Sequence, residues 1–188
     1  EKSVEVVDVF DPGARRWTTV KPMPVPVDDA VSVVWRDSLI YLVSGWHDTD
    51  NVQHVQAYDV VRDTWSMATP IPGPGVFGHT GALAGNTIVY IDGAARRSTG
   101  VKYALVSQSW IGTIDERRPL EIRWSPSAAP HPGPPLYRAA AAGCGDLVLF
   151  AGGTDNPYNY NGVGYDGAPS APRAAVMAYD VRRAQWRV

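Results

Sequence analysis

The sequence predicts an all-β protein, and three observations lead to that prediction. Gly (18 residues) and Pro (16) are abundant beside seven Trp and nine Tyr, a composition typical of short strands joined by many turns. A pattern of apolar strand, Gly-containing loop, aromatic-Asp pair and Trp recurs with a period near 50 residues. Each period carries four short strand signals. Repeats of this length and content indicate the blades of a β-propeller.

The repeat becomes visible when the chain is aligned with itself. A shift of 48 residues places Phe10-Asp11 on Tyr58-Asp59 and Trp17 on Trp65. In both copies the Trp follows the aromatic residue by seven positions. A Gly ends the second strand of each unit, where the backbone takes a conformation that other residues adopt only at a cost. These glycines are Gly45, Gly93 and Gly153, and the last unit closes on Tyr179-Asp180 and Trp186.

The strand signals divide the chain into four units. Residues 1–20 form the outer half of a blade, 28–69 and 77–127 form whole blades, and 137–188 form most of another. In the 77–127 unit the pattern predicts the third strand near Gly100–Val106. Propellers close with roughly four to eight blades. We therefore expect these units, about three and a half blades, to belong to a ring of six or seven. The remaining blades would come from a parent chain or from a second copy.

The combination resembles the Kelch repeat, in which a Gly-Gly doublet follows an apolar strand, and an aromatic-Asp pair and a Trp come after it. Only Gly152-Gly153 keeps the doublet, whereas Ser44-Gly45 and Asp92-Gly93 keep one Gly each. The 77–127 unit has Ile114 in place of the aromatic residue and a longer spacing to Trp124. The resemblance covers nearly the whole chain and implies a Kelch-type propeller. It also implies that the loops between second and third strands lie with the blade connectors around the central channel.

The resemblance calls for comparison with two enzymes that have Kelch-type propellers. Resemblance to galactose oxidase implies a copper site with a Cys-linked Tyr, but Cys144 lies in a tight turn that we expect on the opposite face. Bacterial sialic-acid mutarotases are closer in kind, because opening a sugar ring needs only an acid and a base. The sequence therefore predicts no metal and no cofactor, and the four His residues show no metal-ligand spacing.

The overall charge argues against two classes of partner. A net charge of −2 and a pI near 6.1 give no long-range attraction for nucleic acid or for an anionic membrane. The single Cys144 excludes an intrachain disulfide. The chain contains no apolar run near 18 residues and no signal peptide. A targeting segment upstream of Glu1, and with it a periplasmic or secreted location, remains compatible with the sequence.

The candidate binding site lies in the longest loop, Gly153 to Arg173, which is rich in Asn, Tyr and Gly. These residue types favour turns, so a purely structural role is one interpretation. Amides and the hydroxylated flat rings of Tyr also suit a polyhydroxylated ligand, and binding residues concentrate on long loops of rigid scaffolds. The candidate ligand-binding residues of this loop are Asp155, Asn156, Tyr158, Asn159, Tyr160, Asn161 and Tyr165.

Two further candidates lie outside the long loop. Arg138 aligns with Ala30 and Gly78 of the other units, so the repeat itself does not require an Arg. Its guanidinium would pair either with a carboxylate or phosphate of a ligand, or with a neighbouring blade. His79 begins an inner strand and is either a proton carrier or a structural residue.

Two functions remain open at this point. The first is a non-catalytic propeller that binds a protein partner or a sugar-like ligand through its loop-rich face. The second is a metal-free carbohydrate enzyme of mutarotase or epimerase type, in which Arg138, His79 or a Tyr of the long loop handles protons or anchors the substrate. A carboxylate beside Arg138 or His79 in a water-accessible pocket would favour the enzyme, and a flat aromatic surface would favour binding.

Overall fold

The computed structural model describes residues 2–188. Within this range the chain forms strands and loops and no helix, so the all-β prediction is confirmed and no helix crosses a membrane. The strands in chain order are β1 (Val7–Asp11), β2 (Arg16–Val20), β3 (Val31–Trp35), β4 (Leu39–Val43), β5 (Trp46–His47), β6 (Asp50–Asn51), β7 (Val55–Asp59), β8 (Thr64–Ala68), β9 (Thr80–Ala84), β10 (Thr87–Ile91), β11 (Ala94–Arg96), β12 (Tyr103–Leu105), β13 (Ser109–Ile114), β14 (Ile122–Pro126), β15 (Ala140–Cys144), β16 (Leu147–Ala151), β17 (Val176–Asp180) and β18 (Gln185–Arg187).

Three antiparallel four-stranded sheets form the blades. The first blade has the order β3-β4-β7-β8, the second blade β9-β10-β13-β14 and the third blade β15-β16-β17-β18. The third blade contains all four strands, because Trp186 of β18 pairs with Tyr179 of β17. The outer hairpin, β1–β2, precedes the first blade, and two small hairpins, β5–β6 and β11–β12, project from the first and second blades. This is the partial propeller that the repeat predicts.

The third strand of the second blade is not where the sequence pattern placed it. We predicted Gly100–Val106, but the strand that pairs with β10 is Ser109–Ile114. Part of the predicted segment, Tyr103–Leu105, pairs instead with Ala94–Arg96 in a hairpin outside the blade. Both segments are short runs that contain aromatic and branched apolar residues, so the local composition does not distinguish them. Backbone pairing with β10 determines that Ser109–Ile114 is the third strand of the blade.

The hydrophobic core lies between the faces of neighbouring blades. Successive side chains of a strand point to opposite faces. Ile88 and Tyr90 of β10 therefore pack towards the first blade, whereas Val89 and Ile91 pack towards the third. All four side chains are fully buried. Because both faces of a blade are covered, its second strand is a continuous apolar run rather than an alternating one.

The Trp residues of the fourth strands fasten each blade to the segment before it. The rings of Trp65 and Trp186 pack against the aromatic residues of their third strands, whereas the ring of Trp124 packs against Tyr90 of the second strand β10. Each indole N–H also donates to a backbone carbonyl just after the fourth strand of the preceding unit, a contact that the sequence did not reveal. These bonds are Trp65 Nε1 to Lys21 O (2.9 Å), Trp124 Nε1 to Thr69 O (3.1 Å) and Trp186 Nε1 to Ala129 O (3.1 Å).

The Asp that follows the aromatic position closes the turn after each third strand. Its carboxylate accepts the backbone N–H groups of the residues two and three positions later. The unit that has Ile114 in place of the aromatic residue keeps the same turn. The four carboxylates are those of Asp11, Asp59, Asp115 and Asp180.

The doublet positions take positive φ in every blade. Ser44 and Asp92 (both φ 57) stand where the third blade has Gly152 (φ 73). A side chain is strained in this conformation. Both residues accept a hydrogen bond from the connector that enters the next blade: Ser44 Oγ from Val76 N and Asp92 Oδ2 from Leu136 N, each at 2.9 Å. The departures from Gly-Gly therefore provide bonds between blades.

Candidate functional site

An open cavity of about 600 Å³ lies where the blade connectors, the two small hairpins and the long loop meet. All three blades contribute side chains to its wall, together with the segment before the outer hairpin. Charges of both signs line it in equal number. The basic residues are Lys2, Lys102 and Arg138, and the acidic residues are Asp28, Asp29 and Asp48.

The floor of the cavity is organised by one residue from each blade connector. Asp29, Gly78 and Arg138 occupy equivalent positions and all have φ between 50° and 58°. The Gly78 amide donates to the Asp29 carbonyl (3.0 Å), and the Arg138 amide donates to the Gly78 carbonyl (2.8 Å). This backbone relay links the three connectors. A Cβ on Gly78 would lie 2.1 Å from Cε2 of Tyr137, so only Gly fits beneath that ring.

The relay corrects the predicted alignment of Arg138. The sequence comparison aligned it with Ala30, but the structure aligns it with Asp29, one residue earlier. Isolated bridges set this register, since Asp28 pairs with Trp46 as Tyr137 pairs with Thr154.

Arg138 forms an ion pair with Asp29, the residue at the equivalent position of another blade connector. Its Nη2 lies 2.5 Å from Oδ2 of Asp29, in the connector to the first blade, and its Nη1 donates to the Asn159 carbonyl at 2.7 Å. The guanidinium carbon lies 4.9 Å from the ring centre of Tyr137 and 5.3 Å from that of Tyr158. Burial alone would lower the pKa of Arg138, but the hydrogen bond and charge of Asp29 raise it. Arg138 is thus a fixed cation that ties two non-adjacent blades together.

Aromatic rings form one wall of the cavity. Tyr103 is central, with ring-centre distances of 5.3 Å to Trp46, 5.2 Å to Phe77 and 4.4 Å to Tyr165. These rings meet edge to face, the arrangement that aromatic quadrupoles favour. The Lys102 ammonium lies 5.0 Å from the Tyr103 ring centre. The wall is therefore a preorganised aromatic surface with a cation at its edge.

Ser3 joins two of the cavity carboxylates. Its amide donates to Oδ1 of Asp48 and its hydroxyl to Oδ2 of Asp28, each at 3.0 Å. Ser3 is buried beside Trp46, whose carbonyl lies 3.4 Å from the same hydroxyl. Sequence analysis missed this contact, because no local signal links residues 45 positions apart.

The long loop brings only some of its predicted residues to the cavity. Asn159 and Tyr165 line it. Tyr158 stands behind Arg138, and its carbonyl accepts the Tyr137 hydroxyl at 3.0 Å. Tyr160 is 85% exposed and does not line the cavity.

Three other predicted residues hold the long loop in shape. The side chain of each forms a hydrogen bond or an ion pair with another residue of the same loop, which is the structural role that turn-forming residues favour. The bonds join Asp155 to Arg173 (2.9 Å), Asn156 to Asp166 (2.8 Å) and Asn161 to Val163 (3.1 Å).

His79 does not line the cavity. Its side chain is buried, and Nε2 donates to the Val43 carbonyl at 2.9 Å, which joins the second blade to the first. Burial lowers its pKa to about 4, against a smaller opposing effect of the Val43 bond. No carboxylate is bonded to it among residues 2–188. His79 is a neutral side chain in an interface between blades.

A buried ion pair that sequence analysis missed joins the second and third units. His131 Nε2 lies 2.8 Å from Oδ1 of Asp92, and both side chains are only 1% exposed. Burial alone would lower the pKa of His131, but the hydrogen bond and charge of Asp92 raise it. The Trp186 ring lies 5.9 Å away. The pair fixes the Pro-rich connector onto the second blade.

No three His, Cys, Asp or Glu side chains of residues 2–188 are close enough together to hold a metal ion. The side chains that line the cavity provide aromatic faces, charges of both signs and the amide of Asn159.

Comparison with known proteins identifies the repeat. No protein-family model matches the chain. Kelch-like protein 15 of Gallus gallus is 28% identical over 109 residues, and Kelch-like protein 4 of Homo sapiens is 33% identical over 67. The solved structure of YjhT superimposes with a TM-score of 0.75 at 16% identity. The chain is a Kelch-repeat propeller. The structural likeness, at this identity, shows the fold alone.

The Kelch propeller matches only parts of these relatives. The matches span 57% and 36% of this chain but 22% and 9% of the two Kelch-like proteins. The YjhT superposition covers 97% of this chain and 61% of the other. Kelch-like protein 7 of Mus musculus shows the same proportions, with 26% identity over 58% of this chain and 19% of its own length.

Proposed function

We propose that the Kelch propeller is a binding module that takes a small polar ligand, in the size class of a sugar, in the cavity beside Arg138. The observation that carries the proposal is the composition of this cavity. Its volume of about 600 Å³ falls within the range of small-molecule sites, roughly 300–1,000 Å³. A rigid aromatic wall stands beside fixed charges and the Asn159 amide. Aromatic faces and amides together suit a ligand with apolar ring faces and hydroxyl edges.

The preorganisation of the cavity supports a binding role. The relay through Gly78 and the Asp29–Arg138 pair fix the floor, and the internal bonds of the long loop fix Asn159 and Tyr165. A site that is already ordered loses little conformational entropy when a ligand enters. The ligand would therefore meet a wall that needs no rearrangement.

The test is a pair of Tyr variants on the same loop. Saturation-transfer NMR with a panel of neutral hexoses and hexuronic acids is expected to detect binding to the unmodified protein. Tyr165→Ala removes a ring from the cavity wall and is expected to abolish that signal. Tyr160→Ala, at the exposed part of the same loop, should leave it unchanged. Loss of binding in Tyr160→Ala alone would move the site to the outside of the loop.

A second candidate function rests on a different observation. A carboxylate, Asp29, lies within hydrogen-bond reach of Arg138 inside a water-accessible cavity, the arrangement that we expected of a metal-free carbohydrate enzyme. His79 is buried and does not line this cavity, so the proton-handling groups would be the carboxylates held by Ser3, those of Asp28 and Asp48.

Anomer exchange distinguishes the enzyme from the binding module. If the second candidate holds, exchange NMR of any sugar that binds should show faster interconversion of its α and β forms, and Asp48→Asn should remove the acceleration while binding persists. Binding with an unchanged interconversion rate would leave the binding module alone.

A further inference from the structure

We propose that Asn161 is a site of spontaneous covalent modification, at which the backbone nitrogen of Gly162 attacks the side-chain amide and the residue becomes aspartate or isoaspartate. Water is the only co-reactant. The reaction introduces a negative charge into the middle of the long loop. It does not depend on which ligand the cavity takes.

The chemistry is an intramolecular acyl substitution. Gly162 N forms a bond to Cγ of Asn161, the bond from Cγ to Nδ2 breaks, and ammonia leaves with the proton from Gly162 N. The product is a five-membered succinimide ring. Water then opens this ring at one of its two carbonyl groups. Opening at one carbonyl gives aspartate, and opening at the other gives isoaspartate, which has one extra methylene in the backbone.

The attacking nitrogen is accessible in the structure. Gly162 N donates no hydrogen bond within residues 2–188, although Gly162 O accepts one from Ser170 N at 2.8 Å. Gly162 has no Cβ, and no atom lies within 4 Å of the place that a Cβ would take. Neither a hydrogen bond nor a side chain therefore obstructs the approach of Cγ to this nitrogen.

The Asn161 amide is held in a position that suits the attack. Asn161 is exposed, and its Oδ1 accepts the Val163 N–H at 3.1 Å. This bond closes a short ring of atoms that contains both Cγ of Asn161 and N of Gly162, so the two reacting atoms are held close to each other. A donor on Oδ1 also stabilises the negative charge that this oxygen acquires during the attack.

The other four Asn residues of the chain lack this arrangement. Each is followed by a residue whose side chain or ring obstructs the attack, and Pro in addition has no N–H to lose. The pairs are Asn51-Val52, Asn86-Thr87, Asn156-Pro157 and Asn159-Tyr160.

The Asp166-Gly167 pair of the same loop is also less reactive. Gly167 N donates to the Gly164 carbonyl at 2.9 Å, so this nitrogen is engaged. A carboxylate is, in addition, a poorer electrophile than an amide. The geometry therefore selects Asn161 within the long loop.

The modification alters the loop where it lines the cavity. Position 161 lies between Asn159 and Tyr165, the two residues that the long loop contributes to the cavity wall. Isoaspartate lengthens the backbone between them and displaces the acceptor of the Val163 bond. A resulting loss of ligand affinity rests on the proposed function, whereas the modification itself does not.

The test is peptide mapping by mass spectrometry after the whole protein is incubated at mildly alkaline pH, where the attacking nitrogen loses its proton more readily. We expect a gain of one mass unit at Asn161, separate aspartate and isoaspartate peptides, and one ammonia released for each residue converted. Gly162→Ala adds a methyl group beside the nitrogen and should slow the conversion severalfold. Gly167→Ala is the matched control, since Gly167 also has positive φ and open space, and should leave the rate unchanged.

Three results would overturn the proposal: a constant mass after incubation, equal rates in Gly162→Ala and the unmodified protein, or conversion of another Asn while Asn161 stays intact. Sugar binding by fresh and incubated protein, measured by the same saturation-transfer NMR, tests the consequence for the cavity. Weaker binding after conversion would support it. Absence of binding in fresh protein would count against the proposed function, while the mass measurement would still decide the modification.

Discussion

At the scale of single residues, the positions that matter most are those whose backbone conformation is fixed by a neighbour. Gly78 is the clearest case. Its φ of 58° would strain any side chain, and a Cβ at this position would also clash with the ring of Tyr137. Ser44 and Asp92 reach a similar conformation with a side chain and use that side chain to bind the next connector.

Gly78→Ala is expected to destabilise the protein by about 2 kcal/mol or more, because the new Cβ meets the Tyr137 ring in addition to the strain of positive φ. Gly85→Ala is the matched control, since Gly85 has a φ of 59° and open space around it, and should cost about 1 kcal/mol. Urea unfolding of both variants measures the difference. Equal losses of stability in the two variants would show that the Tyr137 ring adds no steric cost at position 78.

The stability of the folded protein should fall at acid pH because of His79. Its pKa in the folded state is about 4, below the ordinary 6.5, so its contribution is complete above pH 6.5 and is lost as the pH falls towards 4. The loss over that range is roughly 3 kcal/mol. His79→Gln, which keeps a donor for the Val43 carbonyl, should flatten the acid side of the stability profile in urea titrations. His54→Gln, at an exposed His, should not.

At the scale of elements, the connectors and the long loop are held by isolated backbone bridges and side-chain bonds rather than by continuous strand pairing. The Pro-rich connector before the third blade relies on the His131–Asp92 pair, and the long loop relies on the bonds of its own Asp and Asn residues.

The stability that the His131–Asp92 pair contributes should depend on pH in the opposite direction to the stability that His79 contributes. The pKa of His131 is raised above 6.5, so the stability from the pair is complete below pH 6.5 and is lost as the pH rises through the raised value. Asp92→Asn is expected to lower stability most near pH 6 and to remove this alkaline decline. A decline that persists in Asp92→Asn would assign it to another group.

The long loop should loosen without loss of the blades when its central bond is removed. Asn156→Ala breaks the contact with Asp166, so amide exchange between residues 162 and 168 should accelerate while exchange in β15 to β18 stays constant. Tyr160→Ala removes a larger but exposed side chain and serves as the control. Faster exchange across the whole third blade would mean that the loop is part of the blade's stability.

At the scale of the whole molecule, the Asp29–Arg138 pair connects the first and third blades across the second. A double-mutant cycle with Asp29→Ala and Arg138→Ala should give a coupling of about 1 kcal/mol that decreases at high salt. The Asp59–Arg62 pair, confined to one turn, should couple more weakly, because Arg62 is largely exposed. Equal coupling energies in the two cycles would contradict the proposal that the Asp29–Arg138 pair joins the first blade to the third.

The sequence predicted the parts of this architecture that are periodic and local. The Trp positions and the Asp turns follow from spacing, because the Asp carboxylates bind backbone groups only two and three residues away. The third strand of the second blade could not be predicted, since pairing with β10 and not local pattern selects Ser109–Ile114. The specific contacts of the cavity were out of reach: Asp29 and Arg138, which pair directly, are 109 residues apart, and Ser3 carries no motif.

The attachment of the outer hairpin has a mechanical consequence. Apart from its neighbouring segment at Ser3, the hairpin region is joined to the first blade by few bonds, such as Lys21 N to Asp63 Oδ1 and the Trp65 indole to the Lys21 carbonyl. The three blades, in contrast, are linked by complete interfaces and by the relay through Gly78. Under tension applied to the chain ends, the hairpin should tear away first and at low force, and the blades should then yield together as one stiffer body.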